Sequence, residues 1–268
     1  RITKKTFNKW NFFSKTSKKV FSNFDFSFAG NKASEKYLKL LGVKEIKFIG
    51  NLKLASALNP LTISEQNKII LNKYKVWCAA STHPGEEDFC LQTHIKIKKV
   101  HRNILTIIIP RHIKRINKIL KLSVKYNLKT QIINNENDLI ERDAEIVLIN
   151  SFGITSMFFN YCKFIFIGKS LIKKLRNVGG QNPIEAAKLG CKIFHGPYVY
   201  NFKEIYELLK IRKISQLINT ADELSSHLIN NFNHSYEKIE KEKIQELDLF
   251  GKRILNDTKS ELIKFINI

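Results

Sequence analysis

The sequence has no cysteine pair, no long apolar run, and about half as many acids as bases. Its four cysteines, Cys78, Cys90, Cys162 and Cys191, are scattered, with no CxxC and no histidine at zinc-ligand spacing. That excludes a zinc ribbon or a disulfide scaffold and predicts buried, reduced thiols. The longest apolar runs, "ILTIII" and "FIFI", stop far short of the roughly 18–20 residues of a membrane-spanning helix. There is no internal repeat and no low-complexity segment beyond a lysine bias. The first residue is Arg1 rather than Met, and no charged-then-apolar leader follows, so a processed or truncated chain is expected.

What is present suits a folded protein. A chain of 268 residues with 43% hydrophobic content can fill one large domain or two smaller ones, and that content argues against wholesale disorder. Forty-six Lys and Arg against 24 Asp and Glu leave a formal charge of +22. A basic surface attracts nucleic acid or an anionic membrane. The cations are mostly Lys, not the forked Arg that reads phosphates and bases, and they are spread along the whole chain. No nucleic-acid code is visible, whereas anionic lipid or a phosphorylated acceptor suits the charge.

From about residue 76 strands and helices alternate. "VWCAA" (76–80), "ILTIII" (104–109), "KTQII" (129–133), "EIVLI" (145–149), "KFIFIG" (163–168), "CKIFHG" (191–196) and "ISQLI" (214–218) read as strands, with helical segments between them. This pattern predicts an α/β fold with a Rossmann-like, doubly wound parallel sheet. Ligands of such sheets bind outside the carboxyl ends of the strands. The loops "STHPGEE", "PRH", "NSFG" and "GKSL…GGQNP" all fall at such ends. Residues 1–55 differ: a basic, aromatic amphipathic stretch precedes two short strands, "FSFAG" and "IKFIG", with a helix between them. The expected division is therefore 1–55, 56–225 and a Lys/Glu-rich helical tail at 226–268.

"GGQNPIEAAKLG" (179–190) admits two readings. In one, Asn182 caps a helix, Pro183 takes its first position, Glu185 completes a capping box and Gly190 ends it. In the other, Gly179 and Gly180 let backbone amides approach a nucleotide phosphate and Glu185 accepts hydrogen bonds from its ribose. The neighbouring loops add weak signals of the second kind. Arg111 and His112 follow a strand end, where a guanidinium can grip phosphate. Thr82 and His83 open the next loop, and Glu86 and Glu87 read as partners of a helix dipole.

Taken in order, "GNLK" (50–53), "STHPGEE", "PRH", "GKSL" (168–171), "GGQNPIEAAKLGC" and "HGPYVYNFKEI" (195–205) resemble the C-terminal half of the bacterial 3-deoxy-D-manno-octulosonic acid (Kdo) transferases. The resemblance implies a GT-B glycosyltransferase with most of its N-terminal domain missing. Residues 1–55 would be the end of the acceptor-binding domain and 56–225 the domain binding the CMP-Kdo donor. It implies that Arg111 and His112 contact the donor phosphate or nucleotide, and that Gly179, Gly180 and Asn182 line the phosphate pocket. Glu185 would hold the ribose, Thr82 and His83 would face the cleft, and Ser151 and Gly153 would complete the donor site.

Kdo would pass from CMP-Kdo to a lipid A precursor without metal or other cofactor, at the cytoplasmic face of the inner membrane. The family's expected general base is a Glu in the N-terminal domain, outside this chain, so no catalytic residue is assigned and the chain alone is expected to be inactive. Three departures stand out: "NSFGI" (150–154) where the family has Asp-Thr-x-Gly-Glu, Gln181 where many members have His, and a longer, more basic interval "IKKLRNV" (172–178). The competing readings are a non-catalytic nucleotide-binding or membrane-surface module, and another GT-B enzyme such as a UDP-sugar epimerase.

Overall fold

Strands that read as unbroken apolar runs, rather than as alternating ones, belong to parallel sheets covered on both faces. The computed structural model, which describes residues 2–58, 61–234 and 241–266, has one such sheet. The chain divides into two compact units, Arg1–Ala57 with Gln245–Ile268, and Leu58–Ile244. In chain order the first unit opens with α1 (Lys4–Phe12), α2 (Ser14–Phe21), β1 (Phe26–Phe28), α3 (Lys32–Leu41) and β2 (Glu45–Lys47). There follow α4 (Glu65–Leu71), β3 (Lys75–Thr82), α5 (Glu86–Lys98), β4 (Ile104–Pro110), α6 (Ile116–Lys125), β5 (Thr130–Ile133) and β6 (Ile146–Ile149). Next come α7 (Thr155–Tyr161), β7 (Phe164–Ile167), α8 (Ile184–Lys188), β8 (Lys192–His195), α9 (Lys203–Ile211), β9 (Ser215–Leu217), α10 (Ala221–Asn233) and α11 (Lys241–Ile266).

The larger unit carries a seven-stranded sheet in the order β5-β6-β4-β3-β7-β8-β9, every pairing parallel. Every residue of β4, β6 and β7 is buried. Trp77, Leu91, Ile108, Phe166, Phe194 and Leu228 share one core cluster, each contributing roughly 1.5–3 kcal/mol by leaving water. The four cysteines are buried and unbridged. All seven expected strands form within a residue or two of their predicted limits.

The expected boundary at 225/226 falls inside α10. Leu224 and Leu228 of that helix are fully buried, and it packs on α5 with Lys96 paired to Asp222 at 2.6 Å. Residues 226–233 therefore belong to the α/β unit and not to a separate tail.

In the smaller unit β1 and β2 pair in parallel, Phe26 opposite Glu45. Between them α3 is capped by Asn31, whose Oδ1 accepts from Ser34 N at 2.8 Å, and ends at Gly42 in the left-handed region. Phe7 stacks on Tyr37 at 4.8 Å, tying α1 to α3. Residues 245–266 of α11 belong to this unit: a Cβ on Gly251 would lie 2.2 Å from Leu54 O, and one on Gly50 would lie 2.7 Å from Ile254. Among the described residues no helix is long and apolar enough to cross a membrane.

Candidate donor site at the carboxyl ends of the strands

Because the sheet is wholly parallel, the carboxyl ends of its strands share one edge. The chain leaves β3 towards β4 and later returns to place β7 on the other side of β3. The switch point, where such sheets hold ligands, thus lies between β3 and β7.

On the β4 side the structure brings together four residues singled out from the sequence. Arg111 N donates to Thr82 O at 3.0 Å, and the rings of His83 and His112 lie 5.8 Å apart. Arg111 and His112 are exposed and His83 is half-buried. Burial holds the His83 pKa below the ordinary imidazole value, and the charges of Lys169 and His112 press it the same way. Thr82 is fully buried, and its hydroxyl donates to Glu87 Oε1 at 2.9 Å, so it braces the loop instead of facing a cleft.

Glu86 and Glu87 do more than answer a helix dipole. Glu86 is wholly buried, and its carboxylate accepts four backbone N–H groups. His83 N and Lys169 N reach Oε2 at 2.9 and 2.7 Å. Ser170 N and Leu171 N reach Oε1 at 2.8 and 3.0 Å. Amides converging on one anion after a strand are the usual geometry of a phosphate nest, but here the protein supplies the anion itself. Burial raises the Glu86 pKa and the four amides oppose that rise. Glu87 takes a bidentate grip from Arg115, Nη2 at 3.0 Å. The first turn of α5 thus fastens the ends of β3, β4 and β7 together. Gly168 permits the approach, since a Cβ there would lie 2.6 Å from Ser81 O.

The glycine pair of the 179–190 stretch is explained by packing. A Cβ on Gly179 would sit 2.2 Å from Tyr198 O. Gly180 adopts φ +85°, and a Cβ there would meet Val199 Cα at 2.9 Å. Gly180 N donates to Lys169 O at 2.7 Å, Asn201 N to Gly179 O at 2.8 Å, and Tyr198 N to Ser170 O at 2.8 Å. The Ser170 hydroxyl accepts from Gly196 N at 2.9 Å.

The capping box does not form. Pro183 occupies the N-cap of α8, a helix of five residues, too short to offer much dipole. Exposed Asn182 instead accepts from Ile184 N at 3.2 Å. Glu185, half-buried, is hydrogen-bonded to Ser156; burial raises its pKa and Ser156 opposes the rise.

Beyond β6, Ser151 is half-buried, and Gly153 is exposed at φ +85° with open space around it. Ile154, where the resembled family has an acid, is buried, and Asn150 binds Asn134 at 2.8 Å. Next to the site His195 is buried, its Nδ1 2.8 Å from Gly196 O and its ring 4.4 Å from Tyr206. Burial takes its pKa down to about 4, so it is a neutral, structural imidazole. Among the described residues no group of three or more His, Cys, Asp or Glu could hold a metal ion. Sequence reasoning missed the tie between Glu86 and 169–171. Both motifs were in view, but nothing in their spacing says that residues 83–85 positions apart touch.

Residues 1–56 match the sequence model of the family described as 3-deoxy-D-manno-octulosonic-acid transferase (kdotransferase). The 3-deoxy-D-manno-octulosonic acid transferase of Haemophilus influenzae is 27% identical over 194 residues, 72% of this chain and 43% of that protein. That of Rickettsia felis is 26% identical over 271 residues, 99% of this chain and 57% of that protein. The chain spans about half the length of the curated relatives it matches. Among solved structures, the C-terminal CMP-Kdo binding domain of WaaA from Acinetobacter baumannii aligns with TM-score 0.57 at 21% identity. That alignment covers 71% of this chain and 94% of that domain. Apo OtsA aligns with TM-score 0.60 at 11% identity, over 100% of this chain and 65% of that one. The fold is α/β of the GT-B type, and the likeness to the Kdo transferases expected from the motifs is borne out.

Proposed function

We propose that this chain, related to the Kdo transferases over most of its length, is the donor-side part of a glycosyltransferase moving Kdo from CMP-Kdo to a lipid A precursor. The observation that carries this reading is the cluster of the Arg111 cation with the imidazoles of His83 and His112 at adjacent strand ends beside the switch point. The similar WaaA domain, which binds CMP-Kdo, supports it. In this reading Arg111 and His112 meet the donor phosphate, and Glu185 accepts the ribose hydroxyls. Gly179, Gly180, Asn182, Ser151 and Gly153 shape the surrounding walls, with Thr82 bracing the loop behind His83.

The bond between the anomeric carbon of Kdo and the CMP phosphate oxygen breaks, and an acceptor hydroxyl oxygen takes its place on that carbon. CMP leaves with the bonding electrons, and cationic groups fixed in advance stabilise its phosphate. The acceptor hydroxyl gives up its proton to a general base. The net charge of +22 favours peripheral attachment to an anionic membrane, the cytoplasmic face of the inner membrane in this reading.

Calorimetric titration of the purified chain with CMP and with UDP tests the proposal. CMP should bind in preference. Arg111→Ala and Glu185→Ala, each removing a charged hydrogen-bond partner worth roughly 1.5–3 kcal/mol, should each weaken it about tenfold or more. A preference for UDP would favour another GT-B enzyme, a reading the fold shares. Binding of neither would sink the nucleotide reading for this chain.

A further inference from the structure

Four residues other than glycine have positive φ among the described residues, and two of them, Ser81 at 57° and Lys169 at 58°, stand at the ends of β3 and β7. These are the two strands that bound the switch point. The left-handed region is unfavourable for any residue with a Cβ, and such outliers gather where function demands them. The surrounding loops use glycine freely, at 168, 179, 180 and 196, so a lysine at this φ is a conspicuous choice.

Its backbone is also held with unusual completeness. Lys169 N donates to the buried Glu86 carboxylate at 2.7 Å, and so do the next two amides. Lys169 O accepts from Gly180 N at 2.7 Å. The side chain, half-buried, bears electrostatically on His83, whose ring neighbours His112. The nest of amides that could have bound an anion is filled by Glu86, so anion binding at this edge falls to side-chain cations.

We propose that Lys169 is an anion-contacting residue of the switch-point crevice, its ammonium holding the donor nucleotide's phosphate across from His83. Glu86 is its positioning residue, locking the strained backbone that aims it. The proposal rests on the nucleotide-binding reading above and adds a residue to that site.

The chain and its Lys169→Gly and Lys169→Arg variants are titrated with CMP, cytidine and inorganic pyrophosphate, and their urea midpoints are measured. Glycine accepts φ 58° without strain, so Lys169→Gly should be as stable as the parent or more so. It should lose CMP affinity tenfold or more, about 1.4 kcal/mol, with cytidine unchanged, and Lys169→Arg should recover most of the loss. Equal CMP binding by parent and Lys169→Gly overturns the proposal while leaving the nucleotide reading intact. A lowered urea midpoint in Lys169→Gly also overturns it, making the lysine structural. If CMP and cytidine both fail to bind, pyrophosphate decides: binding lost in Lys169→Gly keeps the anion contact and discards the nucleotide, and any other result discards both.

Discussion

On the β4 side of the switch point Arg111 and His112 face water, while on the β7–β8 side most motif residues face one another. Arg111 and His112 are exposed, and Gly153 has open space where a Cβ would go. Across the switch, Glu86 is sealed under four amides, Gly179 and Gly180 lie against the 198–199 backbone, and His195 is buried on Tyr206. Both sides carry motif residues, but for different reasons. The first side offers groups that a ligand can reach. Apart from Lys169, the second makes a wall whose polar groups are already satisfied internally, as buried polar groups must be.

The sharpest way to break this contrast is to open the wall. Glu86→Ala leaves four amides, that of buried Ser170 among them, without their acceptor and should lower the free energy of unfolding by about 3 kcal/mol, read from the urea midpoint. A loss within experimental error would mean that the loops hold without the carboxylate.

Acid should act next, at His195 of β8 and at His94, which is buried in α5 with its Nδ1 2.9 Å from Thr106 Oγ1 of β4. The His195 and His94 pKa values are both held at about 4 by burial. The unfolded chain binds these protons below about pH 6.5, whereas the folded chain does not until about pH 4. Stability is therefore complete above pH 6.5 and falls with pH, by up to about 1.4 kcal/mol per unit per histidine in the middle of the window. Urea titrations at pH 7 and pH 5 should show the loss, and His195→Gln should reduce it.

Glycine substitutions compare the sides directly. Gly179→Ala should destabilise by about 1–3 kcal/mol, because its Cβ meets a carbonyl oxygen. Gly153→Ala meets nothing, so only its positive φ counts, roughly 1 kcal/mol. Equal effects would erase the distinction. Arg111→Ala, exposed on the open side, should change stability by no more than about 0.5 kcal/mol while weakening CMP; a larger change would make Arg111 part of the wall.

Much of the fold was legible because the sheet strands are short apolar runs bounded by polar loops, a pattern that survives without any tertiary information. The strand ends, and with them the loops at 81–87, 110–112, 150–154 and 168–182, followed directly. The role of the glycines did not. A glycine pair before a helix reads the same whether it admits a phosphate or the backbone of residues 198–199, since both need a missing Cβ. The capping box at Asn182 and Glu185 failed because Pro183 took the N-cap and left Glu185 to Ser156. The boundary at 225 failed because apolar positions in α10 show that a face is buried without showing what covers it.

By itself the sequence determined the parallel sheet, the loops along its carboxyl edge, the basic surface and the likeness carried by its motifs, all properties of local pattern and composition. Only the tertiary structure decided that Glu86 spans the switch point to hold residues 169–171, that Thr82 is a brace, and that Lys169 sits in a strained backbone held by Glu86. The tie from Glu86 joins segments more than eighty residues apart, and the pairing of a carboxylate with distant amides is set by how strands stack, not by any spacing along the chain.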